Sequence, residues 1–252
     1  MERIQTGIKG LDERIAGGLP NQSSSLICGT PGSCKTIFCL EYLYRGVTSF
    51  NQNGLYVTIE EEPERLKDQA DQFGWNLREL EEQGRMGFLK IPIDTVNLDI
   101  LRMIKEEKER IGAQRLVIDS LSILAINAAM YNLPIKTQVG DDVSFASNKL
   151  MPSSLTMNEE TKQFIYLFVN KVSDLGATTI FVSDSPEQGN YITRDTVSEF
   201  VCDSVLKLGV QEFGKTISRT LEIRKMRATP VHPGINTLEI VHDGLNVTEF
   251  TY

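Results

Sequence analysis

The segment Gly29-Thr30-Pro31-Gly32-Ser33-Cys34-Lys35-Thr36 constrains this chain more than any other. It follows a short β-leaning run, Ser24-Ser25-Leu26-Ile27-Cys28, and opens a stretch from Lys35 to Tyr44 whose apolar residues recur at helical spacing. A Gly-rich turn between strand and helix gathers backbone N–H groups at a helix N-terminus, where the peptide dipoles favour negative charge. Such a turn binds phosphate: Thr30, Pro31, Gly32, Ser33 and Cys34 form the loop, Lys35 neutralises a phosphate, and the Thr36 hydroxyl is a candidate ligand for Mg2+. One position departs from the pattern GxxxxGKS/T, because Cys34 stands where the last glycine is expected. A side chain there either crowds the phosphate or strains a backbone angle that glycine tolerates. Ionisation of a thiol at a helix N-terminus is also favoured, which opens a redox reading with no other support in the sequence.

Strand-like and helix-like segments alternate beyond the loop. Leu55–Ile59, Phe88–Ile91, Leu116–Ile118 and Thr178–Val182 are apolar strands, and helices are expected near Glu64–Phe73 and over Gln163–Gly176. This alternation predicts an α/β fold with a mainly parallel, twisted sheet flanked by helices. From Asp203 onward the pattern becomes strands with short connections, which predicts antiparallel strands added at the C-terminal side. The 252 residues fit one domain. An irregular insertion at about 130–161, rich in Asn, Ser, Asp and Pro, has the length of a functional loop.

Two acidic clusters complete the candidate site. Leu116-Val117-Ile118-Asp119-Ser120 is an apolar strand ending in an acid, which places Asp119 to hold a Mg2+ shell; the competing reading is a cap for the next helix. Glu60, Glu61 and Glu62 follow the strand Tyr56-Val57-Thr58-Ile59, and ligands of open parallel sheets lie beyond the carboxyl ends of the strands. Glu60 and Glu61 are candidates to orient and polarise an attacking water. Glu62 with Pro63 reads as the acidic start of a helix.

The formal charge of −8 argues against a chain devoted to gripping phosphate backbones. Lys136 and Lys149 of the insertion stand among Asp141, Asp142, Glu159 and Glu160, so nucleic acid is disfavoured there as well. The apolar stretches are strand-sized, the N-terminus is polar, and Cys28, Cys34, Cys39 and Cys202 lack metal spacing. These features predict a cytoplasmic chain with reduced thiols and no membrane contact.

Taken in order, these segments resemble the single-domain KaiC-like ATPases of the RecA/RadA superfamily. The resemblance runs from GIKGLDERIAGGLP through the phosphate loop, YVTIEEEPE with Phe73-Gly74-Trp75, LVIDSLS, GATTIFVS and EFVCDSV to RTLEIRKMRATPVH. It implies a RecA-like P-loop fold, ATP and Mg2+ as cofactors, and a ring of six copies with ATP between subunits. It also implies that Glu60 and Glu61 are the paired catalytic glutamates. Lys225 and Arg227 match the basic pair that reaches a neighbour's γ-phosphate; the competing reading of that pair is a solvated basic edge of a hairpin. His232 lies one residue from the family's nucleotide-contacting histidine; the competing reading is a surface turn histidine next to Pro233. Glu199 and Phe200 occupy the places where one half of KaiC carries its phosphoacceptors, so hydrolysis to water is expected, without autophosphorylation there. The implied function is an ATPase acting in regulation or signalling, with an unidentified protein partner beside its own copies. An ATP-binding scaffold with little turnover is the alternative that Cys34 favours, and a recombinase-like DNA-dependent ATPase is a weaker one.

Overall fold

A computed structural model of the chain describes residues 2–94, 99–128, 131, 159–186, 191–213, 216–231 and 234–250. The insertion lies outside them apart from Tyr131 and the first residues of one helix, and so does His232.

The two shortest strands, β1 (Arg3–Ile4) and β2 (Leu19–Pro20), pair antiparallel beside a 3-10 turn at Asp12–Ile15. The main sheet comprises β3 (Ser24–Gly29), β4 (Gly54–Thr58), β5 (Met86–Lys90), β6 (Arg115–Asp119), β7 (Thr178–Asp184), β8 (Ser204–Phe213), β9 (Thr216–Met226), β10 (Ile235–Val241) and β11 (Gly244–Glu249). Its order is β11-β10-β9-β8-β3-β7-β6-β4-β5. The six strands from β8 to β5 run parallel, and β9, β10 and β11 are added antiparallel, as the pattern change after Asp203 predicts.

Helices cover both faces of the parallel part, so its strands are buried on both sides. On one face α1 (Lys35–Phe50), α2 (Pro63–Asp71) and α3 (Leu77–Glu82) pack Phe38, Tyr42, Leu66 and Leu77 against Ile27, Tyr56, Val117 and Ile180. On the other, α4 (Ile100–Ile111), α5 (Leu121–Ile126) and α6 (Glu159–Ser173) pack Ile104, Leu121 and Phe168 against Leu26, Leu55, Leu116 and Phe181. Alternate residues of one strand thus belong to different cores, which fixes register because a one-residue slip would exchange them.

Some boundaries differ from expectation. Helix α1 runs on to Phe50, and α6 ends at Ser173, with Gly176 three residues further on at φ +74 closing the turn. Asp119 does not cap α5; Ser120 does, accepting from the Ile123 amide at 3.4 Å. A four-residue helix, α7 (Ser198–Val201), leads into β8. Among the described residues no helix is long and apolar enough to cross a membrane.

Candidate functional site

Strand β3 sits at the centre of the sheet, and the loop that leaves it turns directly into α1. Gly29 is required there by close approach: a Cβ on it would lie 2.5 Å from the Leu208 carbonyl oxygen of β8. Gly32 adopts φ +78, a conformation that other residues rarely take, and a Cβ on it would meet nothing within 4 Å. Helices α3, α4 and α5 each begin with a side-chain cap, from Asn76, Asp99 and Ser120. Helix α1, the longest described, begins with no side-chain cap and no acidic residue in its first turn. Helices α2, with Pro63 in its first turn, and α7 also begin without a side-chain cap; the leading amides of α1, which follow the phosphate loop, are free to meet an anion. The buried Ser33 hydroxyl inside the loop also lacks a hydrogen-bond partner. A triphosphate fits this cradle by its chemistry, since it brings acceptors to donors that have none.

The departure at Cys34 is accommodated by strain. Cys34 takes φ +73, a left-handed conformation that glycine adopts at little cost and other residues do not. Its thiol is half-buried and lies 3.9 Å from the Gly32 carbonyl. Burial pushes the thiol pKa up, opposed by the neighbouring Arg219 guanidinium.

Lys35 projects back over the loop. Its Nζ donates to the Gly29 and Thr30 carbonyls at 2.9 and 3.2 Å and pairs with Asp184 at 3.2 Å. Asp184 ends β7 just as Asp119 ends β6, two strands that lie side by side. Sequence reasoning picked out Asp119 and passed over Asp184, although the strand-ending acid is the same signal. Asp119 accepts from the Tyr56 hydroxyl, and burial raises its pKa to about 6 against that hydrogen bond; Glu61 raises it further, Lys35 lowers it, and Asp184 raises it. Thr36 lies in the first turn of α1, half-buried.

The acidic turn after β4 is held from below. Thr58 Oγ1 donates to the Glu61 carbonyl at 2.7 Å, and Lys90 Nζ reaches the Glu60 and Glu61 carbonyls at 2.7 and 3.2 Å. Register pairs Thr58 with Asp119, so the turn begins at the level of that acid. The structure therefore brings Glu61 and Asp119 into electrostatic reach and leaves the Glu60 side chain exposed. Glu62 sits at the N-cap of α2 ahead of Pro63 and pairs with Lys90 at 3.3 Å.

Lys225 and Arg227 are not brought to this end. Met226 pairs with Ser204, which pairs with Ser25, whereas the phosphate loop leaves from Gly29. Four residues of strand separate those levels, about 13 Å along β3. Lys225 Nζ donates to the carbonyls of Glu199, Phe200 and Cys202 at 3.1, 3.1 and 2.6 Å, so it is not a solvated edge lysine. Burial, then the Arg227 charge, lowers its pKa. Arg227 pairs with Asp203 at 3.0 Å and donates to the Phe200 carbonyl at 3.2 Å. From the C-terminal strands it is instead Arg219 of β9 that touches the phosphate loop, its Nε donating to the Gly32 carbonyl at 3.1 Å. No local pattern marks it, because the contact spans most of the chain.

A parallel sheet with a strand–loop–helix phosphate cradle on β3 and an acid ending β6, one strand beyond its neighbour β7, defines the class: this is a P-loop nucleotide-binding fold of RecA type. Residues 4–139 and 142–252 match the family model of the KaiC ATPases, and the chain belongs to that family. It is 28% identical to a UPF0273 protein of Methanocaldococcus jannaschii, over 98% of this chain and 96% of that one. It is 31% identical to the circadian clock oscillator protein KaiC of Synechococcus elongatus over 97% of this chain, and spans 44% of that protein's length. The crystal structure of a KaiC-like protein from Pyrococcus horikoshii superimposes with a TM-score of 0.77 at 27% identity, covering 98% of each chain.

Proposed function

We propose that this chain, as one domain, binds ATP with Mg2+ in the loop Thr30 to Thr36 and hydrolyses it to ADP and phosphate at interfaces between its own copies. The observation that carries the reading is the bare N-terminus of α1, with Lys35 folded over it and the Ser33 hydroxyl unpartnered. Thr36 and Asp119 would hold Mg2+, which when bound offsets charge on the phosphates. A hard cation of this kind is ordinarily held by one or two protein oxygens together with phosphates and water, which suits a site offering a hydroxyl and a carboxylate.

The residues of the chain divide the work. Lys35 must exchange at least one of its three partners for a phosphate oxygen, and Asp184 is the one whose charge makes that exchange costly. Glu61, in electrostatic reach of Asp119, would orient a water and accept its proton, with the exposed Glu60 one residue earlier as its partner. Lys225 and Arg227 lie a sheet-length from the phosphate loop of their own chain, which supports service to a neighbour's γ-phosphate. Cations supplied in trans offset charge developing on the transferring group and make turnover depend on assembly. A closed ring follows if the head-to-tail contact repeats, and we take six copies as its size. A regulatory role, with turnover timing a conformational change toward a protein partner, is the use that assembly-dependent chemistry fits.

The strained Cys34 favours a second reading, an ATP-binding scaffold with little turnover. Steady-state phosphate release separates the two. Turnover in the wild type that is lost in Glu60→Gln/Glu61→Gln supports hydrolysis. A silent wild type that gains turnover in Cys34→Gly establishes the scaffold.

A further inference from the structure

Helix α7 holds the carbonyls that hold Lys225 and Arg227, so whatever positions α7 positions the basic pair. Four residues cannot sustain a helix by their own hydrogen bonds. Its support comes from Asp195, which is 1% exposed. Asp195 Oδ1 accepts from the amides of Val197 and Ser198 at 2.8 and 2.7 Å, and Oδ2 accepts from Ser198 Oγ at 2.9 Å. The same carboxylate receives the Ser183 hydroxyl of β7 at 3.4 Å and the Thr193 hydroxyl at 3.4 Å. Thr193 also makes a short hydrogen bond to the buried Glu199 carboxylate within α7.

The β7 side of this cluster leads to the phosphate loop. Ser183 Oγ lies 3.3 Å from Ser122 Oγ, and Ser122 Oγ accepts from the Asp184 amide at 2.8 Å. Asp184 is the partner of Lys35. Among the described residues Asp195 is therefore a buried acid that ties the start of α7 to the strand carrying the Lys35 counter-ion, while the carbonyls at the end of α7 hold Lys225 and Arg227.

We propose that Asp195 is a positioning residue for Lys225 and Arg227: it fixes α7 on β7 and thereby sets where the basic pair is presented to a neighbouring copy. The proposal rests on the in-trans reading above. It assigns to Asp195 an effect on turnover at the neighbour's site and none on nucleotide uptake by its own loop. Asparagine at this position keeps the size but replaces one acceptor by an N–H donor aimed at hydroxyls and amides.

The test is phosphate release by Asp195→Asn, Lys225→Ala and Lys35→Ala, each alone and after subunit exchange in pairs, with ATP affinity measured by calorimetry. Asp195→Asn alone should turn over about tenfold more slowly, as expected for a misplaced rather than missing catalytic charge, with ATP affinity within twofold of wild type. Mixed with Lys35→Ala, it should regain activity, because in an equal random mixture about a quarter of head-to-tail contacts join an intact loop to an intact basic pair. Lys225→Ala mixed with Lys35→Ala is the reference and should regain activity in the same way. Rescue of Lys225→Ala without rescue of Asp195→Asn overturns the inference while leaving the in-trans reading standing. Rescue of neither overturns both. Ser198→Ala, which removes only the hydroxyl contact to Oδ2, guards against a folding defect: unchanged melting with an unchanged rate would also count against the proposal, and a rate lowered about threefold supports it.

Discussion

The two ends of β3 handle charge in opposite ways. At the carboxyl end the helix amides are uncapped, Ser33 Oγ has no partner, Cys34 is held in a left-handed conformation, and burial raises the Asp119 pKa to about 6. At the amino end Lys225 has three carbonyl acceptors and Arg227 has Asp203 and a carbonyl. The loop end lacks a partner for its leading helix amides; at the other end the two cations are satisfied within the chain before any partner arrives, although the buried Ser25 and Ser204 hydroxyls there lack partners as Ser33 does. Buried polar groups left unpartnered cost about 1–3 kcal/mol each, so the first arrangement persists only where binding recovers that cost. A finished basic pair, by contrast, spends none of its ordering at the moment of assembly, which is the preorganisation that charge stabilisation needs.

The largest effects should come from breaking this asymmetry. Lys35→Ala should abolish nucleotide uptake, because it removes the only Lys or Arg whose ammonium or guanidinium in the described structure bonds both to the loop and to Asp184. Lys225→Ala and Arg227→Ala should leave uptake within twofold and lower turnover by about 100- to 1000-fold. Calorimetry read beside phosphate release checks both halves. Equal loss of binding in all three variants would mean that the two ends do not differ in the way described.

A buried acid away from both ends serves as a control for the cost of burial itself. Glu41 of α1 is 1% exposed, accepts from the Leu245 amide at 2.7 Å and pairs with Arg45 at 3.3 Å. Burial nevertheless raises its pKa from 4.5 to about 7, the amide and Arg45 opposing. The folded state therefore holds a proton that the unfolded chain has released between pH 4.5 and 7. The stability this group adds is present in full below 4.5 and is lost as pH rises through 7, an effect of at most about 3 kcal/mol. Urea melts at pH 5 and pH 8 should show wild type losing that much more than Glu41→Gln over the interval. A difference near zero would mean that Arg45 keeps the carboxylate ionised throughout.

What could be read in the sequence was what is local. The loop from Gly29 to Thr36, the acid ending β6 and the pattern change after Asp203 all appear as short runs, and the structure places the corresponding elements where expected. Helix α4 went unread because Lys, Arg and Glu fill most of it and only three of its residues are buried, although Asp99 and Gly112 cap its ends. Asp195 lies in no segment singled out in the sequence; Tyr56 and Arg219 lie in such segments without a role, and Asp184 carries the strand-ending signal that was read only at Asp119. Each matters through partners from 12 to 187 residues away, in separate elements that only the folded sheet brings together. Likewise, nothing in the sequence showed that Lys225 and the phosphate loop lie at opposite ends of one strand.

A smaller effect tests the incomplete end alone. Asp184 pairs with Lys35 and sets a negative charge beside a site for anions. Asp184→Asn removes both the competing partner and the repulsion, two changes of the same sign. ADP without Mg2+ should bind about fivefold tighter, the worth of roughly 1 kcal/mol between charges a few ångströms apart near water. Weaker binding would show that Asp184 orients Lys35 instead of restraining it.

The smallest change is expected at the most conspicuous departure. Cys34→Gly removes a left-handed non-glycine residue, a relief of about 1–2 kcal/mol, but glycine adds unfolded-state freedom worth about 0.5–1 kcal/mol in the other direction. The two terms nearly offset, so stability should move by less than about 1 kcal/mol. The thiol stands against Gly32 and Arg219, and α1 begins with no side-chain cap on its leading amides. Removing it therefore clears little that a phosphate needs, and turnover should change by less than about threefold, since a strained residue at a site costs the folded state and leaves the donors in place. Phosphate release by the two proteins at saturating ATP decides the matter. A tenfold gain in Cys34→Gly would mean that the side chain restrains the chemistry in the natural chain, and the scaffold reading would then describe it better than hydrolysis does.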